Sequence, residues 1–134
     1  MSTQRFDEAS NEVHHMFAAE PRSAREARHW TEQALHTSSG GGCREDDALL
    51  VVSELVANAV LHGDGPILLR VRTADAAVRL EVQSSSKADT VEPVWGPTGQ
   101  TTGRGLRIVE AVSDGWGSEV VDGQLCVWAE LQPA

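Results

Sequence analysis

Glu54, Asn58 and His62 recur every four residues within the run Glu54–Gly63, and on a helix that spacing places a carboxylate, a carboxamide and an imidazole on one stripe. Leu55, Val56, Ala59 and Val60 supply the apolar side of the same helix. The side facing away from them would ordinarily carry Lys and Glu. Donors of this kind in a row are instead the groups that hold a metal ion and a water. The plainer reading is a solvated stripe, with Asn58 weakly helix-favouring and His62 interacting with the dipole at the helix end. A second segment shifts the balance. Thr102–Val112 opens with Gly103 and Gly105 around Arg104 and continues as an amphipathic helix. A glycine-rich helix start leaves backbone amides pointing outward, which suits an anion such as phosphate.

The elements that must position these groups are legible from periodicity. Residues 1–20 are polar without a sustained period and read as an N-terminal arm or an edge strand around Val13–Phe17. Pro21 suits a first helical turn, and Ala24, Ala27, Trp30 and Ala34 recur at helical intervals as far as Thr37. A loop, Ser38–Gly42, follows, and Asp46 and Asp47 favour the start of the next helix, which runs to His62 before Gly63–Pro66 breaks it. Ile67–Thr73 and Ala77–Gln83 alternate as two strands of a hairpin around Ala74–Ala76. Ser84–Thr102 is rich in Ser, Pro, Gly and Thr, and a loop of that length within a compact domain is usually functional. Gly105–Ser113 reads as a third helix, and Ser118–Val121 with Leu125–Leu131 as a second hairpin around Asp122-Gly123. The expected layout is an α+β two-layer sandwich: a mixed, mostly antiparallel sheet covered on one face by about three helices.

Composition narrows the function classes. A chain of 134 residues with 40% hydrophobic content suits one core. A formal charge of −9 argues against a nucleic-acid partner, because phosphate neutralisation needs clustered Lys and Arg, and favours partners with a basic patch. Two cysteines, Cys43 and Cys126, give no disulfide framework and no zinc spacing, which fits a reducing cytoplasm. Neither a secretory h-region nor a membrane span is expected.

The two motifs together resemble the GHKL ATP-binding (Bergerat-type) fold of gyrase, heat-shock chaperone, histidine kinase and mismatch-repair ATPases. The likeness is strongest to its small bacterial branch, the anti-sigma factor serine kinases and related actinomycete regulatory ATP-binding proteins. Glu54–Gly63 matches the first family motif and Gly103–Val109 the last, with Asp114–Gly117 and Gly123–Leu131 as a similar tail, so the fit runs from Ala24 to Leu131. The resemblance implies a histidine-kinase-like ATP-binding domain over residues 21–134, with ATP and Mg²⁺ as cofactors. It implies Asn58 as metal ligand and Glu54 as the base for a serine/threonine kinase reaction, which is chemically sound because Mg²⁺ takes few protein oxygens beside phosphate. Gly103, Arg104, Gly105 and Leu106 would meet the phosphates. Arg104 adds a charge-assisted contact or is solvated, and His62 either contacts phosphate or is held by the helix dipole. Ser84–Thr102 would be the lid over ATP, with Trp95 in it, while Trp30, Trp116 and Trp128 read as core or sheet-packing residues.

One position departs from the family. Ser84 stands where an Asp that accepts from the adenine amine is expected, and losing a charge-assisted bond costs on the order of 1.5–3 kcal/mol, roughly ten- to hundredfold in affinity. Three functions follow. The first is an ATP-dependent kinase that binds a sigma factor or an anti-sigma antagonist and so controls transcription. The second is a degenerate member that binds nucleotide weakly or not at all and acts by protein contact. The third is a detached histidine-kinase-type ATPase domain. The resemblance also suggests a homodimer.

Overall fold

Ala27, Thr31 and Leu35 lie on one side of a helix spanning Ser23–Ser38 (α1) and are fully buried, which is the 3.6-residue spacing at work. The Thr31 hydroxyl donates to the Ala27 carbonyl at 2.8 Å, so its burial leaves no polar group unpaired. The second helix, Glu45–His62 (α2), begins with Glu45, Asp46 and Asp47, acids placed favourably at the positive end of the dipole. Its buried side is Ala48, Val51, Val52, Leu55, Val56 and Ala59. The computed structural model of the chain describes residue 6 and residues 11–38, 42–86 and 101–134.

Five strands form one sheet: Asn11–Phe17 (β1), Gly63–Ala74 (β2), Ala77–Ser86 (β3), Gly115–Val121 (β4) and Gln124–Leu131 (β5). Their order is β1-β2-β3-β5-β4, and every pairing is antiparallel, so the sheet lies at the antiparallel end of what alternation suggested. Two hairpins turn on two residues each, Asp75-Ala76 with φ of 51° and 69° and Asp122-Gly123 with φ of 52° and 77°. Positive φ at both central positions is the type I′ geometry whose twist matches paired strands.

A third helix, Thr101–Val112 (α3), starts at Thr101 rather than at Gly105. Other boundaries also differ from the periodicity, β4 among them, which starts at Gly115 rather than at Ser118. Gly63 and Asp64 already pair with Ser86 and Ser85, with an irregularity before Ile67 where Gly65 takes a φ of 88°. The break after α2 is therefore a bulge inside a strand. Ser84–Ser86, expected to begin the lid, belong instead to β3. The rest of the expected lid through Gln100, with Trp95, lies outside the described residues.

Alternation sorts the sheet into two faces. Ile67, Leu69, Val71, Val78, Leu80, Val82, Val127, Ala129 and Leu131 face the helices and join Leu55, Leu106 and Val109 in one core. Trp30 and Trp116 pack against that core. Arg44 fastens the layer, bonding Asp47 at the start of α2, the Val112 carbonyl at the end of α3 at 2.7 Å, and Asp114 at 2.9 Å.

The other face carries charge. Arg79 bonds both Glu81, at 2.7 Å, and Glu130, while Arg70 bonds Glu81 at 3.2 Å. Glu81 and Glu130 are buried. Trp128 belongs to this face, with the Arg79 guanidinium 4.6 Å from its ring centre, a cation–π contact. Cys126 lies beside it, and burial together with Glu81 and Glu119 pushes its thiol up to about 11, so it is unreactive near neutrality. Gly117 borders Trp128 so closely that an added Cβ would lie 2.9 Å from the ring. The Gly117→Ala variant is expected to lose about 1–3 kcal/mol in chemical denaturation, the cost of overpacking against a ring that Arg79 holds in place; an unchanged midpoint would show that Trp128 shifts freely.

Candidate functional site

α2 presents Glu54, Asn58 and His62 one turn apart, and burial grades along the stripe: Glu54 and Asn58 are half-buried and His62, the last helical residue, is exposed. The Asn58 Oδ1 atom is the informative one. It is shielded from solvent and accepts no hydrogen bond among the described residues. Burying a polar atom without a partner costs about 1–3 kcal/mol, so such an atom calls for an explanation. A carboxamide oxygen is a hard donor suited to Mg²⁺, and an unused one beside a carboxylate fits a ligand position better than a packing position.

Asn58 and His62 share a small cavity with Ser84. Leu55 and Ala59 of α2, Val82 of β3, and Leu125 and Val127 of β5 form its apolar walls. Ser84 pairs with Leu125 across β3 and β5 and is only 5% exposed, so the hydroxyl stands on the helix-facing side, opposite α2. The cavity measures about 10 Å³, space for about one water. The walls contributed by β5 were missed by sequence reasoning. Its alternation was visible, but only the strand order, which inserts β5 beside β3, brings Leu125 and Val127 under α2.

The remaining expected site residues divide. α3 packs on α2 through the shared core, and Gly103 lies in its first turn, where amides lack partners within the helix. Gly105 is the fifth residue of α3, so its amide is used by the helix itself. The Leu106 side chain is 2% exposed and serves the core, which leaves it nothing but backbone to offer a ligand. The Arg104 side chain lies outside the described residues.

A much larger hollow, about 1050 Å³, lies between β1 and the two helices α1 and α2, lined by His15, Trp30, Arg25, His29 and Leu50 among others. Size alone would favour it as a ligand site. Among the described residues it contains none of the stripe residues and no unpaired buried polar atom, so the chemistry points to the smaller cavity. Glu32, His36 and Glu45 also bring possible metal-binding atoms within 4.8 Å of one another. His36 and Glu45 are 3.0 Å apart across the α1–α2 connection, and this exposed pair is accounted for as a tie between helix ends.

A family model, that of the histidine kinase-like ATPase domain, matches residues 17–131. The chain belongs to this family. Among solved structures, the histidine kinase-like ATPase domain here is similar to the RsbU and RsbW domains of Rv1364c from Mycobacterium tuberculosis, with a TM-score of 0.65 and 19% identity. That match covers 92% of this chain and 32% of the other, and at this identity it shows the shared fold. A comparison with the curated proteins found no match. Among the described residues of this histidine kinase-like ATPase domain no helix is long and apolar enough to cross a membrane.

Proposed function

We propose that the chain is a Mg²⁺-dependent ATP-binding regulatory domain which, like the anti-sigma factor serine kinases it resembles, controls transcription by binding a sigma factor or its antagonist. The observation that carries this reading is the buried, unpartnered Oδ1 of Asn58 one turn from Glu54. Mg²⁺, when bound with ATP, would neutralise phosphate charge. Asn58 would hold it, the first turn of α3 would offer its free amides to the phosphates, and Glu54 would accept the proton of a serine hydroxyl as that oxygen bonds the γ-phosphorus and ADP leaves. The acidity of the chain, −9 overall, suits a partner with a basic surface.

The cavity volume favours a second reading. A space of about 10 Å³ does not receive a purine without rearrangement, which supports a member that binds nucleotide weakly, or not at all, and acts by protein contact. Glu54→Gln tests the division of roles. The variant should retain ATP affinity within about twofold while losing phosphoryl transfer to a protein substrate at least 100-fold, on the order expected for removal of a general base. If Glu54→Gln loses ATP binding as fully as Asn58→Ala does, Glu54 is a binding group and the kinase assignment fails.

A further inference from the structure

Two carboxylates and an imidazole converge where α1 ends and α2 begins. Glu32 and His36 are four residues apart in the last turns of α1, so both side chains project from one stripe, and Glu45 is the first residue of α2. Their ligand-type atoms all lie within 4.8 Å of one another, and the His36 Nε2 and Glu45 Oε2 atoms are 3.0 Å apart. Donors bound at ~2.0–2.2 Å to one divalent cation stand roughly 3–3.5 Å from each other, so a modest turn of the exposed His36 ring and of the Glu32 side chain closes the set.

The tie between His36 and Glu45 does not account for Glu32. That side chain is half-buried and has no hydrogen bond or ion pair among the described residues. The three groups carry net negative charge whichever state the imidazole takes, because it can offset only one of two carboxylates. Asp46 and Asp47 follow Glu45 directly and, with it, outweigh the positive end of the α2 dipole. The neighbouring cation, Arg44, is engaged by Asp47 and Asp114. His36 lies in the last turn of α1, where the negative end of that helix dipole also favours a cation. Glu32 lines the large hollow beside α1, which gives an ion a way in.

We propose that Glu32, His36 and Glu45 form a binding site for a divalent transition-type cation such as Zn²⁺, which clamps the end of α1 to the start of α2. An imidazole nitrogen beside two carboxylates suits such an ion better than Mg²⁺, which prefers oxygen alone. Three protein donors leave a position for water to complete the shell. The site is separate from the nucleotide stripe, since Asn58 lies more than three turns along α2, roughly 20 Å of helix from Glu45.

Calorimetric titration of the chelator-treated full chain with Zn²⁺, in the absence of nucleotide, tests the proposal. Saturable binding of about one Zn²⁺ per chain is expected, with an excess of Mg²⁺ failing to displace it. Glu32→Gln and His36→Ala should each weaken Zn²⁺ binding by at least about tenfold, since each removes one of only three donors. Neither side chain belongs to the core, so both variants should fold, and thermal unfolding supplies a second reading. Zn²⁺ should raise the midpoint of the wild type, because it binds the folded chain, and should leave that of His36→Ala unmoved. Asn58→Ala should bind Zn²⁺ like the wild type. Absence of saturable binding to the wild type would show a solvated acidic cluster and end the proposal. Wild-type affinity in Glu32→Gln or in His36→Ala would overturn the assigned donors. Loss of binding in Asn58→Ala would place the ion on the nucleotide stripe instead and would equally overturn it.

Discussion

Arg79→Met should destabilise the fold by on the order of 3–5 kcal/mol, the largest effect expected of any single change on the charged face of the sheet. The Arg79 side chain is 12% exposed and is shared between Glu81 and Glu130, whose side chains are 9% and 4% exposed. Removing the cation leaves two carboxylates buried beside each other, with Arg70 bonded to Glu81 and Arg72 adding its charge. Burial raises the Glu81 carboxyl, but the hydrogen bond and charge of Arg79, helped by Arg72 and Arg70, outweigh it and hold the group below its ordinary value. A depressed carboxylate contributes stability above its unfolded-state value, near ~4.3, and that contribution disappears as pH falls through the folded value. In the variant Glu81 has lost the cation that favoured its ionisation. The gap between wild type and variant in chemical denaturation should therefore be widest near neutrality and narrow as the pH falls through the carboxylate range. A small gap would mean that the network adds nothing to the fold, and a large gap constant from pH 7 to about pH 4 would mean that Arg79 stabilises by packing and not by holding Glu81 ionised. Arg22→Met provides the comparison: its partners Glu20 and Glu26 are well exposed, and such pairs are worth about 0–1 kcal/mol.

Asn58→Ala should leave ligand-free stability unchanged or raised while Mg²⁺-dependent ATP binding falls by at least about 100-fold. The two effects have one origin. The Oδ1 atom is buried and takes no hydrogen bond among the described residues, so the protein bears its desolvation cost, about 1–3 kcal/mol, until a ligand arrives. Alanine removes both the cost and the ligand. Helix propensity works in the same direction, since alanine is the better helix former by roughly half a kcal/mol. A variant that loses stability in step with binding would identify Asn58 as a packing residue and remove the main support for a metal site.

Much of this arrangement was legible in the chain. Helical spacing of apolar residues located α1 and α2 to within a residue or two, because each buries one stripe against a single layer. Asp122-Gly123 marked a hairpin because these two residues tolerate the positive φ that a type I′ turn demands. The stripe of Glu54, Asn58 and His62 followed from spacing alone. What could not be read was pairing. Only the register of β3 with β5 places Glu130 opposite Arg79 and Leu125 opposite Ser84, and a period-two pattern says nothing about which strand is the neighbour. Trp128 illustrates the limit: its size predicted burial against the sheet, and the strand order decided that Arg79, not a helix, would cover it. Ser84 was expected at the start of a loop, since a run of serines carries no period. Its pairing with Ile67 and Leu125 makes it part of a wall.

The proposed function requires a metal-dependent nucleotide site along α2 with Asn58 as its protein oxygen. Calorimetric titration of the intact chain with ATP, first with Mg²⁺ and then with the metal chelated, tests it most directly. Saturable one-site binding that disappears on chelation and is absent in Asn58→Ala is the expected result. ATP binding of equal strength with and without Mg²⁺, or an Asn58→Ala variant that binds like wild type, would contradict it.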